Sequence, residues 1–212
     1  NGVITIFGSA RAKEGMPSYD QTREFAKIWA THHGDDYAIM TGGSFGVMEA
    51  GNRGAHDAGA KSLYIASYFK HGGEESVNKY VTDGYIASSF AQREADLVDY
   101  AAGIVCAPGG VGTSWEIFES LSKIQTRKKD ACPVILLGSK EVWQPLLVYM
   151  EHLAKLGTIS PEDIDLLQLA ETPEAAVKIL RDHLKLKASD NDKTKKDAPA
   201  SAAGTSVVHQ AC

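Results

Sequence analysis

No run in the 212 residues approaches the roughly 18 consecutive apolar residues of a membrane-spanning helix, and no charged-then-apolar leader opens the chain. Cysteine is scarce as well. Cys106, Cys132 and Cys212 are odd in number, and their spacing suits neither a disulfide framework nor a zinc site. A reducing, cytoplasmic compartment is the simplest reading, and no metal is expected. Cys106 lies inside an apolar run and reads as a small buried hydrophobe. An excess of positive charge is missing too. A net charge of −5 argues against binding along a nucleic-acid backbone, which calls for a basic patch, but leaves room for a pocket that takes one phosphate. Neither nucleic acid nor a membrane is therefore an expected partner. No internal repeat is present. The chain has no initiating methionine, and its start at Asn1, almost directly into a strand, reads as excision from something longer.

What is present is the composition of an ordinary soluble domain, 43% hydrophobic and 23% charged. Short β-branched runs alternate with longer amphipathic stretches, the pattern of a doubly wound α/β domain whose parallel sheet carries helices on both faces. Strands are expected at Val3 to Phe7, Tyr37 to Met40, Leu63 to Ala66, Ile104 to Ala107 and Val134 to Leu137. Ser18 and Gln21 resemble a capping box for a first helix reaching about His33. Further helices are expected from about Phe45 to Ala58, Phe90 to Tyr100, Thr113 to Thr126 and Val142 to Leu156, with a last one opened by Pro173 and running to about Leu186. The polar stretch from Ser67 to Asp83 reads as a long loop of the kind that builds lids over sites. One domain is expected over 1–187. The Ser-, Lys- and Ala-rich segment 188–212 has too little apolar surface to offset chain entropy and reads as a disordered tail.

Two glycine clusters each follow a strand and precede a helix: Thr41-Gly42-Gly43-Ser44-Phe45-Gly46-Val47-Met48, and Pro108-Gly109-Gly110-Val111-Gly112-Thr113-Ser114-Trp115-Glu116. Ligands of open α/β sheets sit beyond the carboxyl ends of the strands. Glycines there let the backbone approach an anion, and the free N–H groups of the next helix point at it. Neither cluster has the Gly-Lys-Ser/Thr of a Walker loop, and the first strand lacks Gly-x-Gly-x-x-Gly. Each loop alone is equally well read as turn chemistry, but two in one chain favour anion binding. Glu116 is either a carboxylate favoured by a helix N-terminus or a group aimed at the sugar of a bound ligand. Arg93 opposes the dipole of its own helix, so it is either solvated or matched by a carboxylate or phosphate. His56 and His71 are isolated and read as structural or exposed.

The second cluster matches the Pro-Gly-Gly-x-Gly-Thr-x-x-Glu motif of the Lonely Guy (LOG) family, and the chain resembles that family over about residues 3 to 180. Gly8-Ser9 resembles the family's opening Gly-Ser, and Gly42-Gly43 through Gly46-Val47-Met48 resembles its first glycine loop. Arg93 lies at the family's spacing before the main motif. The resemblance implies a Rossmann-like fold and a cofactor-free phosphoribohydrolase acting on a nucleoside 5′-monophosphate, such as AMP or a cytokinin riboside monophosphate. It further implies that Gly109, Gly110, Val111, Gly112 and Thr113 hold the 5′-phosphate. Arg93 and Glu116 would be the catalytic pair, and Gly8, Ser9, Gly42, Gly43, Met48 and Glu74 would contact substrate. A homodimer or larger homo-oligomer is implied in the same way. Glu94 stands where the family commonly has Lys, Ser44 replaces a glycine, and Trp115 is bulkier than usual. These departures bear on substrate choice and keep a non-catalytic nucleotide sensor or carrier as the alternative. A pyridoxal-dependent decarboxylase would need a Schiff-base lysine, and no lysine is placed for one.

Overall fold

All five expected strands form, and each is apolar along nearly its whole length because a parallel sheet is covered on both faces. In the computed structural model, which describes residues 2–68, 73 and 76–186, they belong to a seven-stranded, all-parallel sheet. Its strands are β1 (Gly2–Phe7), β2 (Tyr37–Thr41), β3 (Ser62–Ala66), β4 (Asp83–Ile86), β5 (Ala101–Cys106), β6 (Val134–Leu137) and β7 (Leu167–Ala170). The order is β4-β3-β2-β1-β5-β6-β7. The chain thus winds outward from β1 in one direction, then returns to its other side with β5. Between the carboxyl ends of β1 and β5 the winding reverses, and there the crossovers leave a crevice.

Among the described residues six α-helices cover the sheet: α1 (Pro17–His33), α2 (Val47–Asp57), α3 (Phe90–Asp99), α4 (Val111–Gln125), α5 (Lys140–Lys155) and α6 (Pro173–His183). Alternation along the strands divides the core in two. Ile4, Ile6, Ile39, Val105 and Ile135 pack with Phe25, Trp29, Ala50 and Leu180 of α1, α2 and α6. Phe7, Met40, Ile65, Ile104, Cys106 and Leu136 pack with Leu97, Ile117, Leu121 and Trp143 of α3, α4 and α5. Trp29 is fully buried, and its indole N–H donates to the Tyr37 carbonyl at 2.9 Å. Burial of such a side chain contributes roughly 2–3 kcal/mol, and the hydrogen bond removes the cost of its one polar atom. Cys106 and Cys132 are buried thiols, and burial pushes Cys106 well above the ordinary value. Among the described residues no helix is long and apolar enough to cross a membrane.

Three local expectations need correction. Helix α1 begins at Pro17 with Met16 as its N-cap, and no side chain caps it. Ser18 is already inside the helix, where its carbonyl accepts from the Thr22 hydroxyl at 2.7 Å, so Ser18 and Gln21 form no capping box. Helix α2 begins at Val47 rather than Phe45, because Gly46 sits at φ +69°, outside helical geometry. The stretch Ser67 to Asp83 ends in a strand that polarity concealed: β4 pairs with β3 from Leu63–Asp83 to Ala66–Ile86. Strand β7, preceded by a 3-10 turn (Pro161–Leu166), likewise extends the other edge by pairing with β6. The segment 188–212 and His71 lie outside the described residues.

Candidate active site

The crevice between β1 and β5 opens into a cavity of about 680 Å³. Two short connections form its floor. The Ala107 N–H donates to the Phe7 carbonyl at 2.9 Å, and the Ser9 N–H donates to the Pro108 carbonyl at 3.2 Å, so the loops after β1 and β5 run side by side. One wall is the start of α4. Gly110 is its N-cap and no side chain caps the helix, which leaves the first-turn N–H groups to a ligand or water. Gly109, Gly110, Val111 and Gly112 are exposed, whereas Thr113 is buried with its hydroxyl against Gly109. An uncapped N-terminus with exposed glycine backbone suits an anion.

The opposite wall comes from the first turn of α3. Ser89 caps that helix by accepting from the Gln92 N–H at 3.1 Å, and this fixes the direction in which Arg93 and Glu94 enter the core. Both are buried, with 6% and 2% of their surfaces exposed. The Arg93 Nε donates to the Ile65 carbonyl at 3.1 Å, and its guanidinium is ion-paired with the neighbouring Glu94 carboxylate. It also lies over the Phe90 ring at 5.7 Å and against the Met48 sulfur at 3.9 Å. Gly42 is small for a reason seen only here: a Cβ at that position would collide with the Arg93 guanidinium and lie 2.7 Å from the Met48 sulfur.

Glu116 reaches the same cavity from α4, one turn beyond the glycine loop. Burial, and then the charge of Glu94, push its carboxyl up to about 8, while Arg93 pulls in the other direction. Glu94 is raised as well, first by burial and against the pull of Arg93, and it lines the same cavity as Glu116. A perturbed carboxyl in a cleft beside a buried cation marks a candidate for proton transfer. At the lip, the Phe90 and Trp115 rings lie 5.4 Å apart with their planes tilted by 59°.

Gly8, Ser9, Gly42, Met48, Arg93, Gly109, Gly110, Val111, Gly112, Thr113 and Glu116 therefore line one cavity. Gly43 does not. Its N–H donates to the Thr41 hydroxyl at 2.9 Å, and its carbonyl accepts from the Asn78 side chain at 2.8 Å, so its polar groups serve the loop itself. Glu74 lies outside the described residues. Two charged lining residues, Arg11 and Glu94, were not singled out as site residues in the sequence. Arg11 is an exposed cation in the loop after β1, and only the reversal of strand order would have pointed to it. Glu94 stood out solely as a departure from a motif. His56 is exposed and packs against the Tyr80 ring at 5.5 Å. Among the described residues no cluster of three or more His, Cys, Asp or Glu has the arrangement of a metal site.

A parallel α/β domain with an anion-receptive cleft at its switch point defines a class of nucleotide-binding folds. The sequence model of the family described as "possible lysine decarboxylase" matches residues 48–180, and the chain belongs to that family, the LOG family. It is 31% identical over 109 residues to the cytokinin riboside 5′-monophosphate phosphoribohydrolase of Rhodococcoides fascians, a match covering 50% of this chain and 54% of that protein. A probable enzyme of the same name from Oryza sativa subsp. japonica is 29% identical over 96 residues, covering 45% and 39%. The chain thus spans about half, or less, of the length of these relatives. Among solved structures, the molybdenum cofactor binding protein of Rippkaea orientalis superposes with a TM-score of 0.64 at 21% identity, over 87% of this chain and 98% of that one. The molybdenum cofactor carrier protein of Chlamydomonas reinhardtii gives 0.61 at 21% identity, over 87% and 99%. At these identities the structural neighbours establish the fold alone.

Proposed function

We propose that the protein hydrolyses the N-glycosidic bond of a nucleoside 5′-monophosphate, of the AMP or cytokinin riboside monophosphate type, to a free base and ribose 5-phosphate. The observation that carries this reading is the convergence of Arg93 and Glu116 on a cleft whose wall is the uncapped start of α4. The names of the relatives point to the same chemistry. The 5′-phosphate would lie on the N–H groups of Gly110 to Thr113, with the exposed Arg11 as a further counter-charge. That placement sets the ribose between the loop and Glu116. Cleavage leaves positive charge on the sugar, as in glycoside hydrolysis, and a carboxylate facing C1′ stabilises it and orients the attacking water. Binding energy from the phosphate holds the sugar in position for this step. Arg93, held from below by the Ile65 carbonyl, would orient the carboxylate and the sugar hydroxyls.

The residues do not fit pyridoxal chemistry, because no lysine is among the described residues of the cavity wall. The test is to incubate the protein with a panel of nucleoside monophosphates and follow free base by chromatography. Base and ribose 5-phosphate should appear together, and Glu116→Gln should lower the rate by roughly a thousandfold while nucleotide affinity stays within a few-fold. Tight nucleotide binding without release of base from any member would instead define a sensor or carrier.

A further inference from the structure

Glu94 has no assigned part in the reaction, yet it is more buried than either residue of the catalytic pair. The cavity wall gathers three ionisable groups: the Arg93 guanidinium, the Glu94 carboxyl paired with it, and the Glu116 carboxyl. One cation beside two carboxyl groups in one cavity wall leaves an excess negative charge unless a carboxyl keeps its proton. Like charges packed this closely do not both ionise, and one proton is retained by the pair. Among the described residues the charged groups acting on it most strongly are Arg93 from α3 and Glu119 from α4, and Glu116 in turn raises the buried Cys106 thiol of β5. Glu119 adds a second negative influence, and its pairing with Lys123 at 3.0 Å moderates it. One guanidinium facing two carboxyls and one proton leaves the group neutral as a whole, which a buried site tolerates at lower cost than a net charge.

We propose that Glu94 is a positioning residue that holds Arg93 and shares a single proton with Glu116, so that the pair both gives and takes a proton in one turnover. This deepens the hydrolase reading and rests on it for its chemical consequence. As the C1′–N bond breaks, its electron pair stays with the base nitrogen, and the shared proton passes to the departing base. The water oxygen then bonds to C1′ and its released proton returns to the pair. The dyad ends as it began, and the sum is substrate plus water giving base plus ribose 5-phosphate. Where the usual family lysine would leave Glu116 ionised, Glu94 keeps an acid available at neutral pH. Activity should accordingly fall as the pH rises and the pair loses its proton, and it should fall again in acid when both carboxyls are protonated and neither can accept one.

The test separates the dyad from the reaction. Carbon-13 label in the glutamate side chains lets the carboxyl groups be titrated by NMR in the absence of substrate. One resonance should titrate near 8, and it should be missing in Glu116→Gln. In Glu94→Gln it should move down by about one pH unit or more, because the neighbouring charge is gone and Arg93 turns to Glu116. Reciprocally, Glu94 should titrate lower in Glu116→Gln than in the wild type, a result that stands even if Glu94→Gln does not fold. Unmoved titrations in both variants would overturn the shared proton and leave Glu94 as a plain counter-ion of Arg93. With turnover as the readout, the alkaline limb of kcat/KM should shift to lower pH in Glu94→Gln. A wild-type protein that releases no base while the coupled titration is present would refute the hydrolase and keep the dyad.

Discussion

The two glycine loops look alike in sequence and end as opposites. Both follow a strand at the carboxyl edge of the sheet, and both lead into a helix without a side-chain cap. After β2, Gly42, Gly43 and Gly46 are buried, and the loop spends its polar groups on the protein. Thr41 accepts from the Gly43 N–H, the Asn78 amide donates to the Gly43 and Ser44 carbonyls at 2.8 and 2.9 Å, and the Val47 N–H donates to the Ser9 carbonyl at 3.0 Å. After β5, Gly109 to Gly112 are exposed. A loop whose donors are already satisfied is a strut, whereas one whose donors face a cavity is a receptor. The first loop therefore shapes the cavity with its edge, through Gly42 and Met48, and the second presents its exposed backbone to the cavity.

This contrast is best broken at Gly46. Its φ of +69° and the Ser9 carbonyl lying against it leave no place for a Cβ. Gly46→Ala should cost about 2–4 kcal/mol, seen as a lowered denaturation midpoint, and a midpoint equal to wild type would contradict the strut. Asn78→Ala comes next. It removes the side-chain donor from the Gly43 and Ser44 carbonyls and from the Asn52 side chain, bonded at 2.9 Å, while the Asn78 backbone N–H still reaches the Gly43 carbonyl at 2.8 Å, and should cost about 2 kcal/mol in urea unfolding.

The receptor should behave in reverse. Gly112 lies in the first turn of α4 with open space around the position of a Cβ. Gly112→Ala should leave stability unchanged or raise it by up to about 1 kcal/mol, since alanine is the better helix former. Nucleoside monophosphate affinity, measured by calorimetry, should fall by roughly tenfold, or about 1.4 kcal/mol, because the methyl group enters the space assigned to the phosphate. The smallest effect is expected at Thr113. Thr113→Val keeps the shape and removes one hydroxyl, at about 1 kcal/mol of monophosphate affinity and none of nucleoside affinity. Equal losses for nucleoside and nucleotide would move the phosphate elsewhere in the cavity.

Much of the fold was legible beforehand because the central strands must be apolar on both faces. Ile4, Ile6, Val105 and Ile135 announce themselves by composition alone. The two outermost strands do not. Asp83-Gly84-Tyr85-Ile86 has the look of a turn, since an edge strand needs only one neighbour's backbone and can keep its side chains in solvent. At the site, the motif from Pro108 to Glu116 was readable as a unit because one strand end and one helix start supply it all. Arg11 was not, because its place in the cavity depends on β5 coming to lie beside β1, 98 to 99 residues further along the chain. The partnership of Glu94 was hidden for a related reason. Sequence shows it adjacent to Arg93, but adjacency on a helix does not make two side chains face each other.

Local pattern by itself determined the alternation of strand and helix, the buried runs, and the presence of a glycine loop with a glutamate one turn into the next helix. These are properties of short segments, set by side-chain polarity and backbone freedom. Tertiary structure alone decided which glycine loop stays open, which arginine reaches the cleft, and that Glu94 and Glu116 line one cavity. Each of those depends on strands distant in sequence becoming neighbours, and on burial that raises the cost of an unshared charge.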